Sequence, residues 1–198
     1  MKKNLPFETL RKRFEEAGRQ DEFERMAILI DSNADTLLAG LKDRDVSRAI
    51  PSEVRNWDEY KAVAGSADFI NKYNYQEKSK DRNTLKTAYT SVYDNFTKEQ
   101  EPAFRRKIES LLRESARSPK ARLQLIENDA RFQWISGLYP ASLTREKRLF
   151  FMSVDKFFLG NSTLIEPTYT FYNNPIIRKG IVFIDEFDST KERLLDQI

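Results

Sequence analysis

Residues 21–42 read DEFERMAILIDSNADTLLAGLK. Phe23, Met26, Ala27, Ile30, Ala34, Leu37, Leu38 and Leu41 recur there at steps of three and four. That spacing predicts an amphipathic helix with one buried stripe. The same grammar extends outward from Pro6 to about Asp129. SEVRNWDEYKAVAG, from Ser52, spaces Val54, Trp57, Tyr60 and Ala64 along one helical face. DRNTLKTAYTSVYDNF, from Asp81, lines up Leu85, Ala88, Tyr89 and Val92. In TKEQEPAFRRKIESLLRESAR, Thr97 and Gln100 have the spacing of a capping box, and Phe104, Ile108, Leu111 and Leu112 form the stripe. Pro102 falls in the first turns of that helix or marks its true start. Ser118-Pro119 opens a short fifth helix through Leu123 and Ile126. Gly18 and Gly40 stand where helices can end, and residues 71–83, NKYNYQEKSKDRN, read as an exposed loop.

After about Arg131 the pattern changes. Leu149–Met152 is a short apolar run, and TLIEPTYTFY is rich in β-branched and aromatic residues. Pro167 within it argues for an edge strand or an extended loop. GIVFI, from Gly180, is a continuous apolar run of the kind that is buried on both faces of a parallel sheet. The expected fold is therefore mainly α: a helical domain or insertion over residues 1–130, and a small C-terminal α/β element over 131–198.

Composition narrows the chemistry. The chain has 198 residues, enough for one domain or one domain with an appendage, and it contains no cysteine and no histidine. That excludes disulfides, thiol nucleophiles, Cys/His zinc sites and every triad that needs imidazole. A bound metal would have to be a hard cation held by carboxylates and water. Thirty-four basic residues against 31 acidic ones leave a net charge of +3. The charges are interleaved, which permits contact with nucleic acid without arguing for it. No signal peptide and no membrane-length apolar run is visible, so the expectation is a cytoplasmic protein with no membrane partner.

Asp185 and Glu186 follow directly on GIVFI. In open α/β sheets, ligands gather beyond the carboxyl ends of the strands. Two carboxylates fixed there by a buried strand suit a nucleotide site, where one holds magnesium and the other acts on the attacking water. The same residues also suit a plainer role. Ser189-Thr190-Lys191-Glu192 has capping-box spacing, and Asp185, Glu186 and Asp188 would complement the positive end of the helix that follows.

GIVFIDEFD resembles the Walker B segment of P-loop ATPases. Asp185-Glu186-Phe187-Asp188 is similar both to the Asp-Glu-x-Asp box of superfamily 2 DExD/H-box helicases and to the acidic strand end of AAA+ ATPases. The preceding RLFFMSVDKFFLG leans toward the helicases. Met152-Ser153-Val154-Asp155-Lys156-Phe157 resembles their element in which a strand ending near Ser or Thr leads into a short helix. The likeness covers about residues 147–198. It implies an incomplete RecA-like sheet in a fragment of a nucleic-acid-dependent ATPase. Asp185 would be the magnesium ligand, Glu186 the water-activating carboxylate and Asp188 a catalytic coupling residue. It further implies Mg2+ and ATP as cofactors of a longer parent protein, with nucleic acid and the rest of that parent as partners. The chain has six glycines, at 18, 40, 65, 137, 160 and 180. None are close enough to form Gly-x-x-x-x-Gly-Lys-Ser/Thr, so the chain alone is expected to be inactive. The contrasting expectation is a non-enzymatic helical protein-interaction module whose acidic turn only caps a helix.

Two further features have a functional and a plain reading. Arg105, Arg106, Lys107, Arg113, Arg117, Lys120 and Arg122 could meet phosphates, or form a solvated face paired with Glu101, Glu109 and Glu114. Tyr169, Phe171 and Tyr172 could stack on unpaired bases, or pack in a core.

Overall fold

In the computed structural model, the described residues are 7–24, 26–29, 32–74, 82–146, 149–152, 157, 160, 163–166, 170 and 171. They are mainly helical. Contacts divide the chain into two units. A strand unit takes Met1–Ile30, Leu143–Asn161 and Thr170–Ile198; a helical unit takes Asp31–Ser142 and Ser162–Tyr169. The division therefore falls near residues 30 and 142, whereas the sequence reading placed one boundary near 130.

In the strand unit, α1 (Phe7–Glu16) and α2 (Gln20–Glu24) are joined by Gly18. That glycine takes φ 67°, and its N–H and that of Arg19 reach back to the carbonyls of Glu15 and Phe14. This is a helix terminus that a left-handed glycine makes easily. The rings of Phe14 and Phe23 meet across it at 5.8 Å. Next comes β1 (Met26–Leu29), which pairs in parallel with β2 (Leu149–Met152) in the register Met26↔Leu149 to Leu29↔Met152.

The single helix expected over residues 21–42 is thus corrected to α2, β1 and then α3 (Asn33–Lys42). The local cause is Ser32. Its Oγ accepts the N–H of Asp35 at 3.2 Å and caps a new helix. Met26–Leu29, ahead of that cap, pair with a strand instead. The C-terminal half of the expected stripe holds, with Ala34, Leu37 and Leu38 all buried.

The helical unit continues through α4 (Arg44–Ala49), α5 (Ser52–Arg55), α6 (Asp58–Asn74), α7 (Arg82–Asn95), α8 (Glu101–Ser115), α9 (Pro119–Asn128) and α10 (Trp134–Leu138). α6 packs on α3, α7 and α8, while α3 also packs on α4 and α10. Leu37, Val63, Phe96, Phe104, Ile108, Leu112, Ile135 and Leu138 form its fully buried centre. Trp57 and Tyr60 approach the Phe104 ring at 6.5 Å and 5.9 Å between centroids. Ser118 caps α9 by accepting the N–H of Ala121 at 3.1 Å, with Pro119 in the first turn, as its sequence predicts.

The expected capping box at Thr97 is not formed. Asn95, Gln100 and Glu101 all have right-handed helical dihedrals, and α7 runs into α8 through a π-helical turn, Phe96–Gln100. The N–H of Glu101 reaches the carbonyl of Phe96, five residues back. Pro102 supplies the reason: it has no N–H and its ring crowds the carbonyl one turn earlier. A widened turn just before it lets the helix pass without breaking. Thr97 instead returns its hydroxyl to the carbonyls of Tyr93 and Asp94 at 3.0 and 3.1 Å.

Two glycines on these helices behave oppositely. Gly40 lies inside α3 rather than at an end. A Cβ there would stand 2.7 Å from the Gly137 carbonyl oxygen of α10, so glycine is what lets α3 and α10 touch. Gly65 is exposed within α6, and a Cβ there meets nothing within 4 Å. Gly65→Ala is therefore expected to raise unfolding stability by about 0.5–1 kcal/mol through backbone entropy alone. A urea melt measures it, and a loss would contradict the open environment of Gly65.

Candidate functional site

The residues assigned to nucleotide chemistry from sequence, Asp185, Glu186 and Asp188, lie outside the described residues. So do Ser153–Lys156, Pro167, Tyr169, Tyr172 and the GIVFI run. Of the aromatic group, Phe171 is described. It is buried, with its ring 5.8 Å from that of Phe150 on β2, so it packs in a core and offers no free stacking face. Leu149–Met152, read as an apolar run ahead of the acidic strand, is β2.

Two polar clusters are described, both in the helical unit. The first sits where α3 begins. The Ser32 hydroxyl donates to Asp35 Oδ2 at 2.8 Å, and the Tyr93 hydroxyl donates to Asp35 Oδ1 at 2.8 Å. Tyr89 stacks on Tyr93 at 6.1 Å and 8°. Partial burial, and then the Asp35 charge, raise the Tyr89 phenol above its usual range. Both Asp35 oxygens are engaged, so this carboxylate fastens α3 to α7.

The second cluster is more unusual. Glu101 opens α8 and is only 4 % exposed. Its Oε1 accepts from Arg105 Nε at 3.1 Å, and Arg105 Nη1 reaches Glu109 Oε1 at 3.4 Å. The four-residue spacing puts all three on one face of α8. Tyr139, which ends α10, is buried beside the Glu101 carboxylate. The phenol is pushed well above its usual range, by burial first and by Glu101 second. Its hydroxyl nevertheless meets no partner in good hydrogen-bonding geometry, and neither do the buried Gln100 Oε1 and Ser142 Oγ. Glu101 itself is held above the ordinary carboxylate range. Burial raises it, and Arg105 only partly offsets that. Burial therefore favours the protonated Glu101 carboxyl more than water does. The sequence shows the i, i+4 ladder but not the burial, because a Glu-Arg-Glu spacing is just as common on solvated faces.

Of the basic run, Arg106, Lys107, Arg117 and Lys120 are exposed, and the others are engaged within the unit. Arg105 belongs to the cluster above, and Arg113 faces Glu109 at 3.8 Å. Lys107 lies over the Trp57 ring at 5.7 Å. Arg122 donates to the carbonyls of Ala116, Arg117 and Ile165 at 3.1, 3.1 and 2.7 Å. The paired-face reading describes Arg105 and Arg113, and Arg122 is structural. Arg55 does similar work at the end of α4, donating to the carbonyls of Ile50, Ser47 and Arg48. Arg122 stands in the basic run, but this role of the two arginines leaves no mark in the sequence, since a guanidinium that closes a helix end has no fixed spacing from its acceptors.

Among the described residues, no group of three or more acidic side chains is placed to hold a metal ion, and no helix is long and apolar enough to cross a membrane. The chain matches no protein-family model and no curated protein.

Proposed function

We propose that this chain is part of a helicase-like, nucleic-acid-dependent ATPase. Asp185 would hold Mg2+, Glu186 would orient and deprotonate the water that attacks ATP, and Asp188 would couple the site to its neighbours. The observation that supports this most is the parallel pairing of β1 with β2. Parallel strands need a crossover and cover on both faces, which is the grammar of nucleotide-binding α/β sheets. Here the helical unit occupies the connection between the two strands, as an inserted domain would. The segment after β1, Ile30-Asp31-Ser32-Asn33, has no glycine and cannot cradle phosphates as a P-loop does. The phosphate-binding loop therefore belongs to another part of the parent protein.

One observation favours a second reading, a protein-interaction module. The helical unit closes a core of its own, and Asp35 and Arg122 spend their polar atoms on internal bonds.

The native product and its Glu186→Gln variant separate the two. Intact mass and the encoding reading frame show whether a Gly-Lys-Ser/Thr loop accompanies this chain. ATP hydrolysis is then assayed with and without single-stranded nucleic acid. The ATPase reading expects stimulated hydrolysis that Glu186→Gln abolishes while nucleotide binding persists. A native product without a phosphate loop, or hydrolysis unchanged by Glu186→Gln, overturns it.

A further inference from the structure

The chain visits the helical unit twice. It leaves after Ser142, contributes β2 to the strand unit, returns for Ser162–Tyr169 and leaves again at Thr170. The returning segment is short, yet Thr163, Leu164 and Ile165 are all buried, the last two at 2 % exposure. Leu164 takes φ 66°, in the left-handed region where its Cβ crowds the next carbonyl. A leucine stays there only when its surroundings over-determine it. The Ile165 carbonyl accepts Arg122 Nη1 at 2.7 Å, a charge-assisted bond. The same guanidinium uses Nε and Nη2 on the carbonyls of Ala116 and Arg117 at the end of α8. The N–H of Glu166 turns back to Thr163 Oγ1 at 3.4 Å.

We propose that residues 163–166 are a release clip. It docks on the helical unit through Arg122 and lets go without unfolding the helices beneath it. Three features favour separate opening. Undocking relaxes the left-handed Leu164, so part of the burial is offset by strain. It exposes few side chains, which keeps the opening local. It also leaves Arg122 bound to the end of α8, pre-positioned to recapture the Ile165 carbonyl. The clip lies between β2 and the segment that ends in Asp185 and Glu186. On the ATPase reading, on which this consequence rests, docking and release would couple the helical unit to the chain that enters the acidic strand end.

The chain contains no cysteine, so single thiols report each region without background. Thr163→Cys places a small, near-isosteric reporter in the clip, and Ala67→Cys places one in the buried face of α6, where alanine is 2 % exposed. Labelling of the full chain by a thiol reagent is followed in rising urea below the unfolding transition. The clip thiol is expected to react at least tenfold faster than the α6 thiol, with a shallower dependence on urea. Arg122→Ala is expected to speed the clip thiol a further tenfold and leave the α6 thiol within threefold. Arg122→Lys is expected to fall between, because one ammonium cannot span three carbonyls. Equal rates and equal urea slopes at the two thiols would make the segment ordinary core and overturn the clip. Should Arg122→Ala unfold the helical unit, the comparison in the unmutated background decides alone. Loss of the ATPase reading would leave this labelling result unchanged, so the two claims fail separately.

Discussion

Arg105→Ala is expected to cost about 3–5 kcal/mol of unfolding free energy at neutral pH, because it leaves the Glu101 carboxylate buried and unpaired. The loss should depend on pH, and its sign follows from the shift at Glu101. The folded-state pKa of that carboxyl is raised, burial outweighing the opposing pull of Arg105. The folded protein therefore holds the proton more tightly than the unfolded chain. Stability from this group is fully present below the unfolded carboxylate value of about 4.3 and is lost as pH rises through the raised folded value. Without Arg105 the folded value rises further, so the variant's deficit relative to the parent shrinks as pH is lowered from neutral through that raised value. Urea melts of both proteins across that window measure the difference and cancel the titration of carboxylates that Arg105 does not touch. Adding Glu101→Gln to Arg105→Ala should recover most of the loss at pH 7.5, since an uncharged amide of the same shape is far cheaper to bury. A deficit under about 1 kcal/mol, or one that does not change with pH, would show that the pair is solvated rather than buried.

Gly40→Ala is the second large effect, and its direction opposes propensity. In a free helix the change gains about 1 kcal/mol. Here the new methyl would meet the Gly137 carbonyl oxygen at 2.7 Å and Leu138 Cδ2 at 2.8 Å. Leu138 can turn aside, but the carbonyl belongs to backbone and can move only with α10. The expected result is a net loss of about 2–3 kcal/mol, and a larger one for Gly40→Val. Gly65→Ala on α6 is the internal control with the opposite sign. A Gly40→Ala protein as stable as its parent would mean that α3 and α10 do not pack this closely.

The elements legible in the sequence are those whose signals are local. α9 was legible in full, because Ser118-Pro119 carries its own start signal and Leu123 and Ile126 its own burial. α7 was legible from the spacing of its apolar residues. Met26–Leu29 misled, since four apolar residues fit a helix stripe and a short strand alike. What decided between them was a partner far along the chain and a serine cap whose importance shows only once the strand is seen. The π turn at Phe96–Gln100 was hidden in the same way. Pro102 marks a disturbance in the sequence, but whether a helix breaks or widens at proline depends on the packing that holds both sides in line. Of the candidate site, the i, i+4 order of Glu101, Arg105 and Glu109 was visible, and its desolvation was not. The roles of Arg55 and Arg122 were hidden because their acceptors are carbonyls, which every residue has.

The register of β1 on β2 offsets partners by 123 positions, from Met26 to Leu149. For a flexible chain, closing a loop of that length costs about 4 kcal/mol of entropy before any strand contact forms. A folded helical domain between the two strands removes most of that penalty by holding its own ends, so strand pairing belongs to the late part of folding. During synthesis at about 5–20 residues per second, Met26–Leu29 emerges roughly 6–25 s before the strand that pairs with it. Through that interval a short, wholly apolar edge has no partner from its own chain. The burden of keeping it from a wrong one falls on whatever meets the nascent chain.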